Sequence, residues 1–354
     1  MKRVLPFVLI LICCISMPAF TQYSCRNSVL TKEFIYTPQD VQFPSCHAST
    51  IIQIKNGLIA AWFGGTAERN PDVGIWISIQ SSGKWSKPVE VANGIQHKSK
   101  RYPCWNPVLY NTGDKILLYY KVGPSPSEWW GEMITSDDNG KSWSRPYRLP
   151  EDIYGPVKNK PILLKNGDLL CPSSTEDHGW RLHMEFTPDF GRTWERTAAL
   201  NGKDTAAIQP SILTNNDGTL QLVCRSKSSA ILTALSNDNG RTWTKLIPTG
   251  LPNPNSGIDA VTLNDGRHLI VYNHIKKGRN ILNVSVSKDC KTWEAAVILE
   301  NEASDDEFSY PAVIQDEEGL VHITYTWKRE LIRHVVIDPA RIITKPIVDG
   351  NWPE

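Results

Sequence analysis

Helical patterning is nearly absent from this 354-residue chain. Apolar residues do not recur at three- and four-residue spacing over any long stretch, which argues against a helical bundle or a βαβ fold. Neither sign of charge dominates. Lys and Arg number 38 against 37 Asp and Glu, for a formal charge of +1. That balance lacks the basic footprint of a nucleic-acid binder. No Gly-rich phosphate loop leads from a strand into a helix, so no nucleotide cofactor is expected. His and Cys are not spaced as metal ligands, so neither a metal nor any other cofactor is expected.

Long apolar runs are missing too, except at the start. "MKRVLPFVLILICCISMPAFTQ" opens with Lys2 and Arg3, continues with an apolar run from Val4 to about Ile15, and offers small residues at Ala19 to Thr21. The run is short for a bilayer span and reads as a secretory signal over residues 1–21. Cys13, Cys14 and Cys25 lack the small residues that precede a lipidated cysteine. The chain is therefore expected in the periplasm or outside the cell, with no stable membrane insertion, as a single monomeric domain over residues 22–354. Export permits disulfides. Cys25, Cys46, Cys104, Cys171, Cys224 and Cys290 nevertheless read as small buried hydrophobes with at most one or two bridges.

What is present is a repeat. "SDDNGKSW" (Ser136 to Trp143) returns as "TPDFGRTW" (Thr187 to Trp194) and "SNDNGRTW" (Ser236 to Trp243), and shortened as "SKDCKTW" (Ser287 to Trp293). A degraded copy ends at Trp85. The period is about fifty residues, in the range of propellers and solenoids. Between the copies lie short β-branched and aromatic runs such as "GIWISI", "KILLYY" and "HLIVY", punctuated by Gly, Asn and Asp. Four strands and one marked turn make one blade. The turn itself reads as structural: Asp accepts amides of its own turn, Gly takes positive φ, and Trp plugs apolar space.

A second phrase counts the blades. "CHASTIIQIKNG", "WNPVLYNTGD", "KNKPILLKNGD", "IQPSILTNNDG", "IDAVTLNDG" and "SYPAVIQDEEG" each give a polar residue, an apolar strand and a turn. They predict an all-β, six-bladed β-propeller of four-stranded antiparallel blades. If each phrase is an innermost strand, His47, Asn106, Lys160 (or Asn159), Gln209, Asp259 and Tyr310 ring the mouth of the central channel. The ends of the second strands form another ring: Gly64 with Gly65, Lys121, Ser174, Arg225, His274 and Trp327.

The rings are rich in chemistry. Lys121, Lys160, Arg225 and Arg279 would focus positive charge in a near-neutral protein and attract an anion, most simply a carboxylate. The alternative is that they pair with Asp259 and Glu307 and hold blades together. Glu68 or Asp72, in the loop "GGTAERNPD", would overhang the mouth as a proton donor, or be solvated. Tyr310 is a nucleophile if a base takes its proton, and otherwise a satisfied channel phenol. Trp129, with Trp130, Trp105 and Trp180, offers faces for a sugar ring.

The repeated turn resembles the Asp-box of the sialidases (neuraminidases), and the whole mature chain is similar to their six-bladed propeller, with BNR repeats. The resemblance implies a glycoside hydrolase acting on a terminal acidic sugar. It implies Tyr310 as nucleophile, Arg225 and Arg279 on the substrate carboxylate, and Asp72 near the acid, with Glu68 its rival. A neutral nucleophile suits a substrate that carries a carboxylate on its reacting carbon. Three family positions differ here. His47 stands where the first arginine is expected, Gln209 where a glutamate activates the tyrosine, and Thr326 near where a glutamate braces that first arginine. Three readings follow: an exo-glycosidase, with Asp259 or His47 assisting Tyr310; a lyase of uronic-acid glycans, with Tyr310 and His47 moving protons; and a carbohydrate-binding propeller without turnover.

Overall fold

Each run of β-branched residues forms a strand, and consecutive strands pair antiparallel, in a computed structural model that describes residues 27–353. The expected signal segment, Cys13, Cys14 and Cys25 lie outside the described residues. Six sheets follow one another along the chain, each built on four strands. We number them blades 1 to 6 by their innermost strands: Ser45–Ile54, Cys104–Asn111, Ile162–Leu163, Ala207–Thr214, Asp259–Thr262 and Phe308–Gln315. Short extra strands lie against two of them, Val89–Ala92 on blade 1 and Lys345–Pro346 on blade 5. The outermost strand of blade 6 is Val29–Phe34, so the start of the described chain closes the ring onto its end. This is the six-bladed propeller that the repeat predicts.

The core is divided among the seams between blades. Ile59, Ile75, Leu118 and Ile134 pack blade 1 on blade 2, and Leu170, Met184, Leu222 and Ala234 pack blade 3 on blade 4. Val271, Val284, Val313 and Ile323 do the same for blades 5 and 6. Cys46, Cys104, Cys171, Cys224 and Cys290 are buried free thiols. No bridge forms among the described residues, and the small-hydrophobe reading describes all five.

The repeated turns join the third and fourth strands, at the end of each blade away from the channel mouth. In blade 4, Asp238 accepts the Thr242 amide at 2.9 Å and its hydroxyl at 2.6 Å, while the Trp243 indole donates to the Gly240 carbonyl at 2.9 Å. In blade 2, the Ser142 hydroxyl and amide hold the Asp138 carboxyl down to about 2. Gly140, at φ 84°, touches Ile59 and Ile79 of the preceding blade, and a Cβ there would meet the Ile59 methyl at 2.6 Å. Each turn is thus a clasp between neighbours. Asp238→Ala should cost about 1–2 kcal/mol of stability, read as a lower denaturant midpoint, with ligand binding at the mouth unchanged.

Candidate active site

The mouth is shaped by four bulges. In blades 1, 2, 4 and 6 the register between first and second strands slips near the channel entrance, next to His47, Trp105, Ile208 and Ser309. At the slip a residue other than glycine adopts left-handed backbone: Ala48 (φ 55°), Asn106 (36°), Gln209 (57°) and Tyr310 (52°). Proline follows three of these, and the N–H it lacks costs nothing where the ladder is already broken. A bulge re-aims a side chain, here into the channel. Such backbone costs about 1–3 kcal/mol per residue and gathers at functional sites. Asn106, Gln209 and Tyr310 are residues the inner-strand phase singled out.

Arg225, at the end of the second strand of blade 4, reaches both. Its Nη1 donates to the Tyr310 hydroxyl at 2.6 Å and to Gln209 Oε1 at 3.2 Å. Asn255, in the loop entering blade 5, fixes the rest of the guanidinium. Arg225 Nε donates to Asn255 Oδ1 at 3.1 Å, and Nη2 donates to the Asn255 carbonyl. The Tyr310 ring rests on Gly257, where a Cβ would stand 3.1 Å from it.

Arg279 lies 5.8 Å from the centre of the Tyr310 ring and donates to Glu307 at 2.8 Å. Glu307 also receives Arg329 Nε at 2.9 Å and the Ser309 hydroxyl at 2.5 Å. Burial alone would raise the Glu307 pKa, but Arg329 and Arg279 outweigh it and hold the carboxyl below its ordinary range. Arg329 then bridges to Glu68 at 2.7 Å. The mouth therefore holds a third arginine, supplied by the turn after the second strand of blade 6. The reading from sequence missed it because it stood two residues beyond the ring position assigned to Trp327.

His47 is buried. Its Nδ1 lies 3.0 Å from Thr326 Oγ1, and its ring centre lies 4.0 Å from that of Tyr310. Burial first, then the charges of Arg329, Arg279, Arg225 and Lys158, push its pKa well below the usual histidine value, so the imidazole is neutral. A first-blade arginine at this position would add another cation to that group. Under the pocket, Lys158 crosses from blade 3 to donate to the Ile258 carbonyl at 2.8 Å and to the Pro311 carbonyl. Burial brings its amine down to about 7.

Several sequence candidates have other work. Asp259 is buried, with Lys160 at 2.9 and 3.0 Å, the Ser211 hydroxyl at 2.8 Å and the Val313 amide at 2.9 Å on its oxygens. Asp259 and Lys160 thus tie blades together below the mouth, and Asp259 has no lone pair to spare as a base. Lys121 is wholly buried and donates to the Pro156 carbonyl of blade 3. His274 Nε2 donates to the Gly350 carbonyl at 2.9 Å, which leaves Nδ1 to accept the Tyr272 hydroxyl at 2.5 Å, against Trp352 and outside the Tyr310 pocket. Trp129 packs edge-on against Trp105 in a buried cluster and presents no free face. Asp72 caps its own loop through the Thr66 amide (2.9 Å) and hydroxyl (2.7 Å). Trp180 does face the mouth, with the Arg225 guanidinium 5.1 Å and Lys227 Nζ 4.6 Å from the centre of its ring system. Beside it stands Glu176, whose pKa burial raises.

Among the described residues no group of His, Cys, Asp and Glu is placed to hold a metal ion, and no helix is long and apolar enough to cross a membrane.

Comparison with known proteins places this fold. A sialidase of Clostridium perfringens is 25% identical over 228 residues, which cover 54% of this chain and 59% of that protein. The chain thus spans less than two thirds of that relative. A Hadza microbial sialidase superposes with a TM-score of 0.76 at 15% identity, over 88% of this chain and 69% of that one. The intramolecular trans-sialidase of Ruminococcus gnavus, solved with oseltamivir carboxylate, gives 0.69 at 13%, over 85% and 96%. A Dyadobacter fermentans protein of unknown function gives 0.72 at 18%, over 87% and 98%. The BNR repeat-like domain family matches residues 56–323, three quarters of the sequence, and the chain belongs to that family within the sialidase-like propellers.

Proposed function

We propose that the protein is an exported exo-glycosidase that removes a terminal acidic sugar, a sialic acid or a related ulosonic or uronic acid, from glycans. One observation carries this reading: Arg225, Arg279 and Arg329 gather about Tyr310 at a single channel mouth. A guanidinium has five N–H donors. Arg279 and Arg329 keep donors that no described protein acceptor takes, and these meet the substrate carboxylate.

With the carboxylate so held, the anomeric carbon faces Tyr310. The Tyr310 oxygen bonds to that carbon as the bond to the aglycone oxygen breaks. The phenolic proton passes to His47, which is neutral and, in the tautomer that donates Nδ1–H to Thr326, has Nε2 free to accept. The aglycone oxygen departs with a proton from a carboxyl. Water then takes the carbon, the phenol recovers its proton, and the acid is restored. Gln209 cannot accept a proton, so it orients Arg225 while His47 serves as the base.

Incubating the purified protein with sialyl, uronyl and rhamnosyl glycans tests the reading. A released acidic monosaccharide supports it. An unsaturated product absorbing in the ultraviolet replaces it with the lyase, and saturable binding without product replaces it with the non-catalytic propeller.

A further inference from the structure

The carboxylates at or near the mouth are committed to partners, with one exception. Glu68 is paired with Arg329 at 2.7 Å, and Glu307 with Arg279 and Arg329. Asp306 pairs with Lys328 at 2.8 Å, Asp259 with Lys160, and Asp72 caps Thr66. Among the described residues Glu176 and Asp72 make no ion pair, and Asp72 is taken up by the Thr66 amide and hydroxyl, which leaves Glu176 as the uncommitted one. It follows the strand Leu169–Thr175 of blade 3 directly, at the mouth end, and its carbonyl accepts the Ser127 hydroxyl of the neighbouring blade at 3.4 Å. Trp180 stands beside its carboxyl and also lies against Arg225, which itself holds Tyr310.

We propose that Glu176, rather than a carboxylate of the first-blade loop, is the acid that protonates the departing aglycone oxygen; this rests on the glycosidase reading above. Tyr310 and Glu176 flank the arginine group from blades 6 and 3, on opposite sides of the six-bladed ring. Substrate held by the arginines then presents its anomeric carbon to one and its leaving oxygen to the other. The charges facing Glu176 are Arg225 and Lys227 from blade 4 and Glu68 from blade 1, while the adjacent Asp177 is occupied by His178 at 2.7 Å. Burial raises the Glu176 pKa, Arg225 and Lys227 offset part of the rise, and Glu68 adds to it. Glu307, held ionised by two arginines, is pushed the other way. Two carboxyls driven apart within one site is the mark of divided roles. The proton goes from Glu176 to the aglycone oxygen as the glycosidic bond breaks, and returns from the hydrolytic water.

The test compares Glu176→Gln, Asp72→Asn and Glu68→Gln on two substrates: an acidic sugar linked to a second sugar, and the same acidic sugar on nitrophenol. Nitrophenolate leaves without help. Glu176→Gln is expected to lose about 10²–10⁴-fold in kcat on the sugar-linked substrate, to stay within about tenfold of wild type on the nitrophenyl one, and to lose the basic limb of its pH profile. Nitrophenyl turnover also reports that the variant is folded. Equal losses on both substrates, no loss on either, or the selective pattern appearing in Asp72→Asn or Glu68→Gln would overturn the assignment. A wild-type protein that cleaves neither substrate overturns the glycosidase reading itself, and the assignment with it.

Discussion

Tyr310→Phe is expected to abolish turnover, by roughly 10³–10⁶-fold, while leaving the propeller folded. The change removes one oxygen. What that oxygen does in the fold is accept Arg225 Nη1 at 2.6 Å, and Arg225 keeps Gln209 and both atoms of Asn255 without it. The phenyl ring still fills the space over Gly257 and beside His47, so thermal unfolding should shift by a few degrees at most, on the order of 1 kcal/mol. Rate and stability therefore separate. Single-turnover rates and melting curves on the same preparation check it, and a Phe variant keeping a tenth of the wild-type rate would remove Tyr310 from the chemistry.

The pH profile gives a second readout of the same step. His47 must be neutral to accept the phenolic proton. Its pKa in the folded protein is depressed, so it stays neutral as pH falls through the usual histidine range near about 6.5. The acid limb of kcat/KM should accordingly lie below that value. A limb at or above it would mean that a different group accepts the proton.

The sequence carried the architecture because the architecture is periodic. Asp238, Gly240 and Trp243 each have one local task, and the task recurs wherever two blades are clasped. Inner-strand phase brought Tyr310, Gln209 and His47 to one place and second-strand phase added Arg225, since bulges fall at the same point in four blades. It failed where a blade is irregular. Lys121 is the counterpart of Arg225: it pairs across from Trp105 as Arg225 pairs from Ile208. In blade 3, however, the innermost strand is cut to Ile162–Leu163, with Gly155, Pro156 and Pro161 upstream. The segment ahead of it enters the channel as irregular backbone. Its Pro156 carbonyl takes Lys121, and its own Lys158 fills the space below Tyr310. Trp129 was misjudged for a related reason, because a loop tryptophan carries no periodic signal that separates burial from display. Arg329 and Glu176 lie just past strand ends, where no alternation assigns a direction.

Arg329, the third arginine at the mouth, pairs with both Glu68 and Glu307, which makes it the position with the largest expected effect on binding. Arg329→Met should raise the KM for an acidic sugar by about 10²–10³-fold, as loss of a charged hydrogen-bonded contact costs about 2–5 kcal/mol. The effect on a substrate whose carboxylate is replaced by a carboxamide should be far smaller. Arg329→Lys should not restore affinity, because a point charge cannot serve Glu68, Glu307 and a carboxylate with the fork that a guanidinium presents. Part of the loss in Arg329→Met comes from leaving Glu68 unpaired, facing the incoming anion. Arg329→Met with Glu68→Gln removes that repulsion, so the double variant should recover a portion of the binding, within about tenfold of the single variant. Full recovery in the double variant would show that Arg329 serves only to neutralise Glu68. Partial recovery together with discrimination between carboxylate and carboxamide is the pattern of an arginine that touches the ligand. Binding of the sugar acid by titration calorimetry, for both variants and both ligands, separates the two.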